Sequence, residues 1–241
     1  MKTTLNRTVA SITLTAATVF SGLLSSQLHA DTTLQPFEAT YKVVSEGTIN
    51  MTGESLRSLR QENSNWRLVS KASAFVASIE ESSLFAYQQT NIQPLSYHYN
   101  RKVLGKTRTA NLTFDWQKNT VTNNVENKPW TMDIQPGVLD KLSYQLQLQA
   151  DIAAGKTSLD YKVADGGRLK HYRFSVAGKE QIETPAGTFN AIRVERVYDD
   201  AGERQTLIWF APELDYQLVK LYRQEKKDKT YSLILKRNQK I

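Results

Sequence analysis

Two histidines, His98 and His171, are the chain's candidates for a general base, and the third, His29, lies near the N-terminus. A hydrolytic triad would have to use one of the two. Each stands on the polar side of an alternating run, where an imidazole faces solvent, and a base needs a positioned partner that the spacing does not supply. Two carboxylate pairs, Glu80-Glu81 and Asp199-Asp200, could in principle share a proton. Neighbours on a strand point to opposite faces, which defeats the first pair. The second opens the turn Asp199-Asp200-Ala201-Gly202, where Asp serves the backbone. There is no Gly-x-Ser-x-Gly elbow, His-Glu-x-x-His, phosphate loop or Gly-x-Gly-x-x-Gly. The chain contains no cysteine, so disulfides, thiolate nucleophiles and Cys-ligated metals are excluded. The expectation is a non-enzymatic protein that needs no cofactor and no metal, with carboxylate-only calcium binding left open.

Binding chemistry has more material. Arg101, Lys102, Lys106 and Arg108 surround Gly105 as a basic hairpin, suited either to phosphate or carboxylate groups or simply to a solvated loop. The basic tail Lys236, Arg237 and Lys240 reads the same way. Trp66, Trp116, Trp130 and Trp209, with 11 tyrosines, lie in or beside strand-like runs. Such rings build cores, or wall a cleft when a curved sheet does not fill its own concavity. Trp116 ends the run Ala110, Leu112, Phe114 on its apolar side, and Trp209 sits in Leu207-Ile208-Trp209-Phe210, apolar on both faces. The predicted ligand-binding residues are therefore Trp116, Trp209, Arg101 and Arg108.

The elements that must position these side chains begin after residue 30. Lys2 and Arg7 give a basic start, Val9 to Leu24 is uncharged and diluted by five Ser/Thr, and Leu28-His29-Ala30 precedes Asp31. This pattern predicts a cleaved secretory signal, residues 1–30, since the run is shorter than the roughly 18 residues a spanning helix needs. No Cys follows, so no lipoprotein signal is expected. Removing 30 residues from 241 leaves 211, read as a single domain, 31–241. That portion keeps 29 of the 31 Lys+Arg against all 24 Asp+Glu, a formal +5. This mild excess argues against a nucleic-acid partner and suits anionic lipid head groups, acidic glycans or a membrane surface.

Period-two alternation recurs through Phe37-Ala39-Tyr41-Val43, Leu95-Tyr97-Tyr99, Ala110-Leu112-Phe114-Trp116, Leu159-Tyr161-Val163, Tyr172-Phe174-Val176 and Tyr231-Leu233-Leu235. Asp165-Gly166-Gly167 and Thr184-Pro185-Ala186-Gly187 supply hairpin turns, and 116–121 and 224–229 read as glycine-free tips. Within 138–154, Leu139, Leu142, Leu146, Ala150 and Ala153 switch to helical spacing, bounded by Pro136-Gly137 and Gly155. A short second helix is also considered over 72–83. The fold class predicted is mainly β: a curved antiparallel sheet or open β-barrel of about ten to twelve strands with one amphipathic helix, 138–154, as a cover or plug.

Phe37-Glu38-Ala39-Thr40-Tyr41, the path from Tyr97 to Trp116, Thr184 to Phe189 running into Arg193-Val194-Glu195-Arg196, and Ile208 to Leu214 together resemble the exported Gram-negative proteins grouped as domain-of-unknown-function 3108. The resemblance spans 37–236 and implies a periplasmic, β-rich fold. It carries no catalytic residues across. One departure is Tyr216-Gln217-Leu218, where the family pattern leads one to expect a proline before Val219. Three functions follow in order of preference: binding of an apolar or amphipathic ligand, such as a lipid or acyl chain, in the sheet's concavity; an interaction or scaffold module for an envelope protein; and an enzyme acting on envelope glycans or lipids.

Overall fold

The computed structural model of the protein describes residues 34–241, apart from 48–49, 200–201 and 227–228. The signal sequence expected over residues 1–30 lies outside the described residues. The first wing of strands is β1 (Phe37–Glu46), β2 (Met51–Glu62), β3 (Asn65–Ala74), β4 (Ala77–Gln88), β5 (Asn91–Val103), β6 (Lys106–Asp115), β7 (Thr120–Val125) and β8 (Lys128–Asp133). A two-residue β9 (Leu139–Asp140) and the helix α1 (Ser143–Ala153) follow. The second wing is β10 (Leu159–Asp165), β11 (Arg168–Thr184), β12 (Gly187–Val197), β13 (Gln205–Ala211), β14 (Gln217–Lys226) and β15 (Lys229–Lys240).

Each wing is an antiparallel meander, and β1 pairs with β15, so the first and last strands meet in the middle of one fifteen-stranded sheet. Strand twist coils a sheet of this width. Its outer strands approach each other: β9 packs against β5, and the Trp130 indole of β8 lies over Gly167 in the β10–β11 turn. A side chain at Gly167 would overlap that ring. The edges β8 and β9 share no ladder, so the sheet is an open curl and not a closed barrel.

Alternation puts Tyr41, Leu59, Leu68 and Phe85 of one wing, and Val163, Val194, Ile208 and Leu235 of the other, on the inner face, all essentially inaccessible. Between them sits α1, touching β5 on one side and β9 and β10 on the other. The helix is buried on most of its circumference, from Tyr144 and Leu146 round to Leu148 and Ile152. It is therefore a plug inside the curl, not an amphipathic cover on its surface. Its polar residues are fastened there. The Gln147 side chain accepts from the Ile92 N–H (2.8 Å) and donates to the Thr90 carbonyl (3.0 Å) and to Asp151 Oδ1 (3.0 Å). The Tyr161 hydroxyl donates to Asp151 Oδ2 (2.8 Å).

Three expectations are corrected. The helix begins at Ser143 and not at 138, because the Asp140 carboxylate accepts the Leu142 and Ser143 N–H groups (2.8 Å each) while the Asp140 N–H donates to Ser143 Oγ (2.9 Å). This is reciprocal capping, and it leaves Leu139–Asp140 free to pair in parallel with β10. The helix stops where Gly155 takes φ +71° and its N–H turns back to the Ile152 carbonyl (3.0 Å). The segment 72–83 is the β3–β4 hairpin and holds no helix. The described residues form fifteen strands where about ten to twelve are expected.

Candidate functional site

The inner face changes character along the strands. Toward the plug, the facing pairs Leu59–Leu68 and Trp66–Phe85 fill the curl. Toward the other end the same strands carry Gly53, Ser70, Ala72, Ala74 and Ala77, which cannot. Gly53 is required by close approach, because a Cβ there would run into the Ser73 carbonyl oxygen. The space these small residues leave is a cleft of about 700 Å³, a size typical of small-ligand sites.

Its floor is the start of the plug: Lys141, Leu142, Tyr144 and Gln145. Val43, Met51, Ile79 and Val103 supply apolar wall on one wing, with Leu221 and Leu233 on the other. Six basic side chains reach the lining: Arg57, Arg101, Lys141, Arg196, Arg223 and Lys229. Three acidic ones oppose them, Glu46, Glu81 and Glu225. Glu225 is paired with Arg223 (2.9 Å), and Glu81 accepts the Tyr97 hydroxyl (2.5 Å). The site is thus net positive.

Arg57 is the residue the sequence reading missed. It is only 5% exposed, and among the described residues its one hydrogen bond runs from Nη1 to Gln145 Oε1 (3.0 Å). Its Nε has no partner, and neither has Oγ of Ser55, which is buried two residues earlier on the same face. Arg196 lies with its guanidinium 3.5 Å from the centroid of the Tyr172 ring, its Nε also unpartnered. Tyr144 packs edge-on against Tyr172 (5.0 Å between centroids). Burial pushes the Tyr144 and Tyr231 hydroxyls up to about 12, so both are neutral donors at physiological pH. The arrangement suits a partly apolar, negatively charged occupant.

Of the residues predicted for binding, Arg101 lines this cleft; Arg108 joins it only at a smaller surface depression on the β5–β6 hairpin. The two tryptophans lie elsewhere. Trp116 falls just past the end of β6, in the turn at the plug end, stacked on Phe114 (5.7 Å) with its indole N–H donated to the Pro94 carbonyl (2.6 Å). Trp209 points to the opposite face from Ile208 and Phe210. There it is buried under the sheet's own outer side chains, its N–H donated to Glu180 (2.5 Å) and its ring 4.9 Å from Lys220 Nζ. His98 is bonded to Asn111 (2.5 Å) and His171 faces Asp160 (3.6 Å); neither lines the cleft. Among the described residues no cluster of three His, Asp or Glu side chains could hold a metal ion, and no helix is long and apolar enough to cross a membrane.

The profile of a family described as "Protein of unknown function (DUF3108)" matches residues 36–232. The chain belongs to that family. No curated protein matches it by sequence. Among solved structures, a β-barrel-like protein of domain of unknown function DUF1849 from Brucella abortus superimposes with a TM-score of 0.55 at 10% identity, over 86% of this chain and 98% of that one. This chain and that DUF1849 protein thus share a fold. A candidate exported protein with a YmcC-like fold from Bacteroides fragilis aligns with a TM-score of 0.32 at 10% identity, over 86% and 97% of the two chains. A candidate lipoprotein from Parabacteroides distasonis gives 0.31 at 10% identity, over 86% and 96%.

Proposed function

We propose that this DUF3108 protein is a periplasmic component of the cell envelope that performs no chemistry and holds an apolar or amphipathic ligand, such as a lipid or acyl chain, in the concavity of its sheet. The observation that carries the reading is the cleft itself: about 700 Å³, hollowed by Gly53, Ala72, Ala74 and Ala77, with apolar walls and a surplus of cations. A fold that merely needed a core would fill that space, since protein interiors are close-packed. The basic leader ending in Ala30 supports export. The mouth also supports contact with an anionic membrane surface. At its rim Phe75 and Leu104 are 104% and 64% exposed, on tips joined by the Leu104 N–H bond to the Val76 carbonyl (3.0 Å). Arg101, Lys102, Lys106 and Arg108 stand exposed beside them. Apolar tips among basic side chains are the chemistry that seats on negatively charged lipid head groups.

The test is organic extraction and mass spectrometry of protein purified without detergent from cells that export it. A co-purifying amphiphile near one per chain is the expected result. Protein that carries none, and that takes up none from added fatty acid or phospholipid, would count against the reading.

A further inference from the structure

We propose that the floor of the cleft is a site for one anionic group, the carboxylate or phosphate head of a single-chain amphiphile, held by Arg57 and Arg196 beside Gln145. The ligand then enters head first, and its chain lies along the small-residue wall toward the mouth. The proposal rests on the reading of the cleft as a lipid site and adds the ligand's charge and direction.

Arg57 carries the argument. A guanidinium 5% exposed has lost its hydration, and a buried cation is costly unless it is paired. Among the described residues no carboxylate comes within ion-pair distance of it, and the neutral Gln145 amide is its single hydrogen-bonded partner. Nearby acids are otherwise engaged: Glu81 with the Tyr97 hydroxyl, and Glu225 with Arg223. Two guanidinium Nε groups, on Arg57 and Arg196, both of which line the cleft, are buried without hydrogen-bond partners. Native proteins rarely leave several such groups unpaired together, and a ligand is one standard reason. The planar donor fork of arginine fits carboxylate or phosphate oxygens two at a time.

Polarity sets the direction. The unpaired donors sit beside α1, at the closed end, whereas Ala74, Ala77 and Val103 lie where the strands approach the mouth. The helix adds to this, because its positive dipole end opens on the same floor, although the Asp140 carboxylate takes two of its first N–H groups.

Three probes with one twelve-carbon chain make the test: dodecanoate, dodecyl phosphate and dodecanol, titrated by calorimetry into the mature protein. One or both anions should bind at least tenfold more tightly than the alcohol, and the tighter one names the head group. Arg57→Met should remove that preference, and Arg57→Lys should restore part of it. The thermal midpoint separates ligand binding from a structural role: Arg57→Met, relieved of an unpaired charge, should melt at or above the wild-type temperature. Equal binding of acid and alcohol, or an acid preference that survives Arg57→Met, overturns the anion site and leaves the lipid cleft standing. A midpoint several degrees lower in Arg57→Met also overturns it, since Arg57 would then be a structural residue. Failure of all three probes to bind overturns the cleft reading and this proposal with it.

Discussion

Replacing Gln147 by methionine tests whether α1 is a fastened plug. The two side chains are of similar length, so packing is largely kept, and what is lost is polar. The Ile92 N–H loses its acceptor at 2.8 Å in a buried setting, and the Thr90 carbonyl loses its donor at 3.0 Å in a half-buried one. A buried backbone group left unsatisfied costs about 1–3 kcal/mol. Asp151 loses one donor but keeps the Tyr161 hydroxyl and Lys156 (2.7 Å), so its share is small. Taking the lower half of the range for Thr90 and allowing for the better burial of a thioether, the net loss is about 2–3 kcal/mol. For a chain of this size that lowers the thermal midpoint by about 5–10 °C. Urea unfolding with an unchanged slope is the assay, supported by hydrogen exchange at the Ile92 amide, which should lose its protection selectively. A loss below about 0.5 kcal/mol with Ile92 still protected would refute the staple.

Two further substitutions probe the sheet. Burial pushes the Asp165 carboxyl up, but Lys170 (2.7 Å), Lys141 and the Tyr172 hydroxyl (2.8 Å) outweigh it and hold the group below the usual carboxylate range. A depressed folded pKa gives stability that is present above the unfolded value of about 4 and lost as pH falls through the folded one. Asp165→Asn should therefore cost about 1 kcal/mol at pH 7 and nothing near pH 2. Asp140, whose carboxyl burial pushes up, has the opposite sign but cancels in the wild-type-minus-variant difference. A gap constant across that range would remove ion pairing as its source. Trp209→Ala should cost about 3–5 kcal/mol and leave dodecanoate affinity of the folded protein unchanged; calorimetry showing the reverse would put the ring back in the site.

The strands were legible wherever one face stayed apolar, as in Phe37 to Val43 and Ala110 to Phe114. They were hard to read where the strand is only six residues long and its apolar phase is broken, as by Asn123 between Val121 and Val125 in Thr120–Val125, or by Lys128 ahead of Trp130 and Met132 in Lys128–Asp133, which accounts for strands beyond the expected number. The alanines of 72–83 look helical by propensity, yet they are there because small side chains hollow the cleft. Leu139 and Leu142 keep helical spacing with Leu146, but what decides the helix start is a buried carboxylate, and the capping role of Asp140 is invisible in an apolar pattern. Arg57 was masked because Leu56 and Leu59 stand in opposite phases of the same strand; Leu56 turns out 38% exposed and Leu59 buried. The reading of Trp116 extended an alternation one residue past the strand's end.

Ala72 faces the cleft from β3, half-buried and opposite Ile79. Titrating dodecanoate into wild type and Ala72→Trp, an indole placed in the empty space, tests the central claim most directly. The account predicts that affinity falls at least tenfold while the thermal midpoint moves by no more than about 3 °C, because the added ring occupies the ligand's volume and displaces no core. Undiminished binding in a folded Ala72→Trp protein would contradict it.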